Sequence, residues 1–431
     1  MEPRRFLRPM AGVLAAMAVS LTGTRVSAIA LPWFVLTTTG SAVWTGVVAF
    51  AEMAPYVLVK ALTGPLVDRM GPRRISWVAD VVSALAAVAV VLLFMLGRLP
   101  LGVIIVAVAV IGAARGPGDL AKEVMVPEAA ERGRVPLERA TGLMGVTDRL
   151  ASTVGPAVGG ALVALLGSLG ALGVSAVCFA LGSMIVAVAL PRGMGHRTQE
   201  REAREGYWRR FGQGFVFLRG EPMLRAMIVM VAVTNLLDAA YGQVLAPVWA
   251  KESGHGPAVL GLNNSVISLT AVGGSLVAAA IAHRMRRRPV FFVAFLLAGP
   301  PKFVILAADV PVPAVVVVLA VSGFCGGFLN PILSAISYER IPRHLLGRVN
   351  ALGSSLAWAG IPLGGVLAGV AVAGAGVAPV LLICGVAYAL TTTLTGLRPA
   401  SRDMDRLRGH GPPVAEQRDV TEGSRSSGRP P

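Results

Sequence analysis

The 431-residue sequence has few charged residues, few histidines and few cysteines, and each shortage excludes a class of protein. Charged residues make up 14% of the chain and hydrophobic residues 55%, and the mean hydropathy is +0.69. A soluble domain cannot bury that much apolar material, so we predict a membrane protein. The three cysteines, Cys178, Cys325 and Cys384, all fall in apolar stretches, where a small polarizable side chain simply packs. We therefore expect neither a disulfide framework nor a metal site.

The sequence also lacks the glycine-rich loop followed by Lys-Ser or Lys-Thr that cradles the phosphates of ATP. Glycine pairs such as Gly326-Gly327 lie in apolar stretches, without the strand-turn-helix context of a nucleotide site. These absences indicate that the protein is not an enzyme, needs no cofactor and does not draw energy from ATP.

Lysine is scarce as well, because four lysines stand beside thirty-five arginines, a bias that indicates a GC-rich bacterial genome. The net charge of +16 could suit nucleic acid, but the basic residues recur in every second loop. The positive-inside rule then places both termini in the cytoplasm. The basic residues are expected to contact anionic lipid headgroups, and a nucleic-acid partner is not expected. The basic clusters are Arg4, Arg5 and Arg8; Arg69, Arg73 and Arg74; Arg132, Arg134 and Arg139; the 192–225 segment; Arg284 and Arg286 to Arg288; and Arg340, Arg343 and Arg348.

What the sequence does contain is a series of long apolar segments. A bilayer core about 30 Å thick takes roughly 20 helical residues per crossing. Twelve segments meet that length, and we predict an all-α membrane protein with twelve transmembrane helices. The segments lie near 11–36, 43–64, 75–96, 99–120, 139–166, 169–190, 223–249, 257–282, 289–308, 312–335, 347–373 and 376–397.

The chain repeats itself loosely at half its length. Pro156 ahead of Gly159-Gly160 matches Pro362 ahead of Gly364-Gly365, and Arg139 opening the fifth span matches Arg348 opening the eleventh. Such matches are typical of two parallel six-helix repeats. We predict an N-terminal half over 1–190, a cytoplasmic linker with an amphipathic helix over 191–222, a C-terminal half over 223–398 and a disordered cytoplasmic tail over 399–431.

A short, charged turn separates the second and third spans. Glycines and a proline in this turn stop the helix, an aspartate can dock on a helix N-terminus, and arginines hold the turn on the cytoplasmic side. A plain positive-inside anchor would look similar. The residues that form the turn are Gly64, Asp68, Arg69, Gly71, Arg73 and Arg74.

A second pattern of small residues lies in the fifth span. Small residues allow close helix packing, and the proline removes a backbone hydrogen bond so that the helix can bend. Ordinary small-residue packing is the simpler alternative. The pattern comprises Gly142, Gly155, Pro156, Gly159 and Gly160, with Ala151 where a further glycine would complete it.

The turn resembles the loop 2–3 signature G-x3-D-R-x-G-x-R-R of the major facilitator superfamily. The fifth span is similar to the antiporter motif of drug-exporting members, and the Ala151 exception weakens the antiport inference. Over about residues 5–398 the chain looks like the branch of macrolide efflux pumps and enterobactin exporters, drug:proton antiporters. The segments Arg25-Val-Ser27, Thr38-Thr-Gly40-Ser41, Gly261-Leu262 and Leu346-Gly-Arg348-Val349 fit that branch. The resemblance implies fold, export and coupling class, and leaves the cargo open.

Ionisable residues at membrane depth are costly and are therefore candidates for function. No histidine lies in a span, so a proton relay must use Glu52, Asp148 or Asp238, since a buried carboxylate can exchange protons near neutral pH. Arg25 or Arg149 could pair with these acids. For each acid, a static ion pair or binding of a cationic cargo is an alternative to proton coupling. The candidates are Arg25, Glu52, Asp148, Arg149, Asn235 and Asp238.

Five further charged residues lie near the cytoplasmic ends of spans, where we expect snorkelling or gate contacts and not cargo binding. Among them, Asp119 could pair with the arginines of the 2–3 loop. Lys302, after Gly299-Pro300-Pro301, has no assignment from the sequence. The five are Lys60, Asp80, Arg115, Asp119 and Lys122.

These features and the resemblance together predict a monomeric secondary transporter in the bacterial cytoplasmic membrane. It would export a small amphipathic molecule, such as a drug or antibiotic, in exchange for protons, through a cavity lined by spans one, four, seven and ten. A siderophore or metabolite exporter is the first alternative. The second is a facilitator fold that has lost transport and acts as a membrane sensor or scaffold.

Overall fold

A computed structural model of the chain describes residues 3–63, 70–98, 100–191, 194, 215–281, 286–308, 310–342 and 345–399. These residues are nearly all helical, and none of them lies in a β-strand. Apolar segments of this length form helices in lipid because only a helix satisfies every backbone hydrogen bond within its own segment.

Six helices form the N-terminal half. Their bounds are α1, Pro3–Thr39; α2, Ala42–Leu62; α3, Pro72–Met95; α4, Leu101–Arg132; and α5 with α6, both inside Leu137–Ala189. Residues 137–166 form α5 and residues 168–189 form α6. They meet at Gly167, whose φ of 72° and ψ of 170° are accessible to glycine and strained for any other residue. A straight helix of 53 residues would be about 80 Å long, more than twice the bilayer core, so this segment crosses twice.

Six more helices form the C-terminal half, and several of them are interrupted. They are α7, Pro222–Glu252; α8, Pro257–Ile281; α9, Arg287–Ala307; α10, Val312–Gly326 with Leu329–Arg340; α11, Leu346–Trp358 with Ile361–Ala375; and α12, Val377–Leu397. A π-helical turn, Tyr241–Leu245, interrupts the α-helical geometry of α7. In α9 the break comes at Gly299, directly before Pro300.

Within the described ranges, eleven helices are long and apolar enough to span a membrane, and Gly142–Ala189 is counted among them as one. Because that segment turns back at Gly167, the helices make twelve crossings. The predicted all-α membrane fold with two six-helix halves is confirmed.

The outer surface of the bundle is apolar. Leu165, Met95 and Leu397 are 81%, 74% and 68% exposed, which would be costly in water. In a bilayer these side chains contact lipid, so the exposed leucines, valines and methionines mark the lipid-facing surface. The buried core lies between the helices and contains large side chains such as Phe179, Phe291 and Phe303.

The two halves touch through two pairs of glycines. Gly46 of α2 lies against the carbonyl group of Gly365 of α11, so closely that a Cβ atom on Gly46 would collide with it. Gly160 of α5 lies against Gly261 of α8, where a Cβ on Gly160 would come within 2.9 Å of the Cα of Gly261. Both pairs lie toward the end of the bundle that carries the α1–α2 and α7–α8 connections, which we call the closed end. The Lys251 ammonium also donates a hydrogen bond across this end to the Leu36 carbonyl oxygen, at 2.9 Å.

The predicted linker and tail fall largely outside the described residues. Of the linker, 215–220 is helical; there Phe215 is exposed and Leu218 is buried. Of the predicted tail over 399–431, only Pro399 is among the described residues.

Candidate functional site

The turn between α2 and α3 is described only in part. Gly64, Asp68 and Arg69 lie outside the described residues. Gly71 has a φ of 81° and precedes Pro72, which begins α3. Arg73 then donates hydrogen bonds to two carbonyl oxygens at the end of α6, those of Leu190 at 2.9 Å and Ala187 at 2.7 Å. Arg74 is exposed. The described part of the turn therefore fastens the start of α3 to the end of α6.

The small-residue pattern of α5 meets two neighbouring helices. A Cβ on Gly155 would come 2.6 Å from the Cβ of Arg25, and one on Gly159 would come 3.1 Å from the Cα of Val26, both in α1. Gly160 and Pro156 contact α8 instead: the Pro156 carbonyl lies against Gly261. Gly142 has open space where its Cβ would be. Four of the five residues thus lie in close contact with a neighbouring helix, and Gly142 does not.

The sequence allowed Arg25 to pair with one of the candidate acids, and the structure shows a different partner. Arg25 forms no ion pair with a described acid, and its Nη2 donates a hydrogen bond to the Ser152 hydroxyl at 2.8 Å. Its Nε is buried without a hydrogen-bond partner. Asp148 and Arg149 are both exposed. Since Asp148 lies four residues before Ser152, the two share one face of α5, yet the structure directs Arg25 to the hydroxyl and not to the carboxylate.

Glu52 lies near the middle of α2, where the backbone passes very close to α4. A Cβ on Gly112 of α4 would collide with the Glu52 carbonyl oxygen. The Glu52 side chain is half-buried and forms no hydrogen bond or ion pair with any described residue. Glu52 is thus a candidate acid without a partner among the described residues.

A buried ion pair links α3 and α4. Lys122 Nζ lies 2.8 Å from Asp80 Oδ1, and the Ser20 hydroxyl donates to the same carboxylate. Because Asp80 and Lys122 are 5% and 2% exposed, they do not snorkel to the membrane surface, and gate contacts, the other expectation for them, stay a prediction. The sequence could not show this, since it does not fix how each helix is rotated about its axis.

A second charged cluster lies on α2 and α4. Arg115 pairs with Asp119 one turn along α4, at 3.1 Å, and the Tyr56 hydroxyl also reaches that carboxylate, at 3.4 Å. Arg115 is buried as well, so of the two expectations only gate contacts stay open for it. Lys60 pairs with Glu123 at 3.5 Å. The suggested pairing of Asp119 with the 2–3 loop is replaced, among the described residues, by these contacts.

The C-terminal half contains one charged pair at the midpoint of α7. Lys302 Nζ of α9 lies 2.6 Å from Asp238 Oδ1, so Asp238 pairs with neither Arg25 nor Arg149. Asn235 is not bonded to Asp238, because its amide donates to the Ala357 carbonyl of α11 at 3.0 Å. Lys302 is thus the partner that reasoning from sequence missed. A lysine directly after a Gly-Pro-Pro break inside an apolar span was the available signal.

Aromatic rings surround the same lysine. Its Nζ lies 5.2 Å from the ring centre of Tyr241, 5.4 Å from that of Phe303 and 5.8 Å from that of Tyr388. These distances fall within the range of cation–π attraction. We call Tyr241, Phe303 and Tyr388 the aromatic cage. The Asp238 carboxylate is a fourth group in contact with this ammonium.

No group of three or more His, Cys, Asp or Glu side chains suited to a metal ion occurs among the described residues. The structure instead presents a twelve-crossing helical bundle with close glycine contacts between helices and with ion pairs at membrane depth, an arrangement that suits a membrane transporter. Residues 9–423 match the model of the transmembrane secretion effector family, and the chain belongs to that family. The predicted superfamily and the assignment as a transporter and not an enzyme are confirmed.

Relatives and solved structures agree with this assignment. The chain is 31% identical over 400 residues to the multidrug efflux pump Tap of Mycolicibacterium fortuitum, covering 92% of this chain and 97% of that protein. It is 26% identical over 242 residues to the enterobactin exporter EntS of Salmonella choleraesuis, covering 55% of each chain. The crystal structure of the nucleoside transporter NupG matches with a TM-score of 0.71 at 13% identity, over 94% of this chain and 100% of that one. That last likeness concerns the fold alone.

Proposed function

We propose that the protein exports a small amphipathic molecule, such as a drug or antibiotic, across the bacterial cytoplasmic membrane in exchange for protons. The observation that carries this proposal is the similarity to the efflux pump Tap over nearly the full length of both chains. The polar and charged groups held inside the bundle support it, because unneeded charges at membrane depth cost roughly 2.5–3.5 kcal/mol each on insertion scales.

The proposed orientation puts both termini in the cytoplasm, in line with the positive-inside distribution of arginines. The closed end then faces outward, and the arginine-rich end faces the anionic headgroups of the inner leaflet. The proposal keeps the predicted boundaries of the halves, 1–190 and 223–398. Since the two halves complete the bundle within one chain, we take the transporting unit to be a monomer.

In this proposal α1, α4, α7 and α10 line the cavity, and the glycine pattern of α5 seals the closed end. The turn over 64–74 holds one of the two cycling conformations through Asp68. Proton exchange takes place at Glu52, Asp148 or Asp238. This assignment is supported by the side chains of Glu52 and Asp148, which form no ion pair with any described residue.

Proteoliposomes with an imposed pH gradient test the coupling. Wild-type protein should concentrate a fluorescent cargo and lose that accumulation with a protonophore. Among Glu52→Gln, Asp148→Asn and Asp238→Asn, the coupling variant should keep exchange but lose gradient-driven accumulation. Glu123→Gln is the matched control, because Glu123 is an exposed acid outside this set. If all three variants still accumulate cargo, the proton site lies elsewhere.

Arg25 favours a second candidate function, export of an acidic siderophore or metabolite. Its guanidinium lies near the middle of α1 without a carboxylate partner, and such a cation suits an anionic cargo. Arg25→Gln should then weaken binding of a catecholate probe and leave a neutral probe unaffected. A sensor or scaffold, the third possibility, would bind a probe but move none of it in the proteoliposome assay.

A further inference from the structure

We start from Lys302, because three aromatic rings lie within cation–π distance of its ammonium, against two for Lys60. The Lys302 side chain is 13% exposed, and the carboxylate that it touches, Asp238, is 41% exposed. The cation of this ion pair is therefore less exposed than the anion. In the Asp80–Lys122 pair, by contrast, both partners are buried.

The aromatic cage gives the Lys302 ammonium a second set of partners. A cation is attracted to the electron-rich face of an aromatic ring, and most strongly where water is excluded. Tyr241, Phe303 and Tyr388 are 5%, 0% and 2% exposed, so all three rings act in such surroundings. Breaking a buried ion pair normally leaves a charge unsupported. Here three rings lie within cation–π distance of the ammonium in addition to the carboxylate.

Irregular backbone brings these groups together. The π-helical turn of α7 begins at Tyr241, three residues after Asp238, and such turns occur often at functional sites. The break in α9 at Gly299 comes three residues before Lys302, and a Cβ at Gly299 would overlap the Tyr388 ring. Two departures from regular helix geometry thus meet at one cage.

We propose that Asp238 binds the positive charge of a cationic amphipathic cargo, and that Lys302 is a built-in competitor for this carboxylate. In the empty transporter Lys302 occupies Asp238. When an organic cation arrives from the accessible side, it takes the carboxylate, and Lys302 stays held by the aromatic cage. The proposal rests on the proposed function, since it names the cargo class of that same transporter.

The physical consequence is selectivity by charge. A neutral molecule of the same shape gains nothing from Asp238, because it cannot replace the ammonium of Lys302. A cation binds the carboxylate, and the cost of binding is the displacement of the Lys302 ammonium from Asp238. Removal of the competitor should therefore strengthen cation binding, which is the reverse of what loss of a structural ion pair would do.

The test uses a matched pair of probes and the purified full-length protein in detergent. One probe is a dansyl fluorophore with a primary ammonium arm, and the other is the same compound with its amine acetylated. Wild-type protein should bind both. We expect Lys302→Met to tighten binding of the cationic probe about tenfold, and Asp238→Asn to weaken it about tenfold, with less than about a twofold change for the neutral probe in each case.

Three further variants separate a binding role from a structural one. Lys60→Met is the matched control, because the Lys60 ammonium also lies near two rings, those of Tyr56 and Trp358, but pairs with Glu123. It should change neither affinity. Tyr388→Leu should weaken cation binding several-fold, because the displaced Lys302 loses part of its second support. Lys302→Gln takes the place of Lys302→Met if the latter unfolds below the assay temperature.

The outcomes are distinguishable. Weaker cation binding by the Lys302 variants, or equal effects on both probes, would overturn the competitor role and leave the proposed export function standing. Failure of wild-type protein to bind either probe would contradict the proposed function itself. Equal affinity of the two probes in the Asp238→Asn, Lys302→Met double variant is the final expected result.

Discussion

The contact between Gly160 and Gly261 gives a sharp prediction about the closed end. An alanine at 160 would place its Cβ 2.9 Å from both the Gly261 Cα and the Pro257 carbonyl oxygen. Ordinary contacts of a Cβ begin near 3.4 Å, and both obstructing atoms belong to the backbone of α8. The helices α5 and α8 must therefore separate by about half an ångström at this point.

The energetic cost falls on one conformation. Overpacking of this kind costs typically about 1–3 kcal/mol, and every 1.4 kcal/mol changes an equilibrium about tenfold. If the closed end opens during transport, Gly160→Ala destabilises the closed state and spares the open one. We expect the open population to rise by about one order of magnitude, and Gly160→Leu to exceed that.

Pulsed electron paramagnetic resonance can measure this shift. Spin labels at Thr39 and Glu252, which are exposed at the closed end on opposite halves, should show a larger share of long distances in Gly160→Ala, after the native cysteines are replaced. Gly142→Ala is the control, because no atom lies within 4 Å of its Cβ position on the same helix. Since alanine favours helix by roughly 1 kcal/mol over glycine, this control should be neutral or slightly stabilised. Unchanged distances in Gly160→Ala would refute the view that this contact closes the bundle.

Three further predictions concern the N-terminal half. Asp68→Asn should insert and fold normally but export cargo much more slowly, which transport by equal amounts of protein would measure; full export would remove its gating role. Arg73→Ala should lower the free energy of unfolding by about 1.5–3 kcal/mol in a denaturation assay, because two charged hydrogen bonds are lost. Arg74→Ala is the control and should change that free energy by less than about 0.5 kcal/mol. Asp80→Asn should lower the free energy of unfolding by about 3–5 kcal/mol and reduce the protein yield, because Lys122 is left buried without its partner. The double variant Asp80→Leu, Lys122→Met should recover most of that stability. An equal loss of stability in the single and the double variant would argue against a purely structural pair.

The fold followed from the sequence because lipid imposes a simple rule. Length and hydropathy alone located the crossings, and even the division of Leu137–Ala189 was expected, since the predicted spans stopped at 166 and resumed at 169. The spacing of glycines in α5 indicated close packing at Gly155, Gly159 and Gly160. Each of these inferences depends on residues that are near one another in the chain.

Charge pairing could not be predicted in the same way. Asp238 and Lys302 lie on different helices, and their contact depends on the rotation of α7 and α9 about their axes. That rotation is set by the π-helical turn and the break at Gly299, which hydropathy does not reveal. For the same reason the sequence could not decide whether Arg25 lies beside a carboxylate, and the structure places it beside Ser152.

The way in which the closed end is held determines what can disturb it. Among the described residues the halves meet there through glycine backbone contacts and the Lys251 bond to a carbonyl oxygen, with no ion pair between them. Van der Waals contact is indifferent to salt and to protons, whereas exposed ion pairs are weakened by both. In the proposed orientation this end faces surroundings that the cell does not control. The outer seal should therefore hold equally well in dilute and concentrated media, in acid and at neutral pH, so that only events inside the bundle release it.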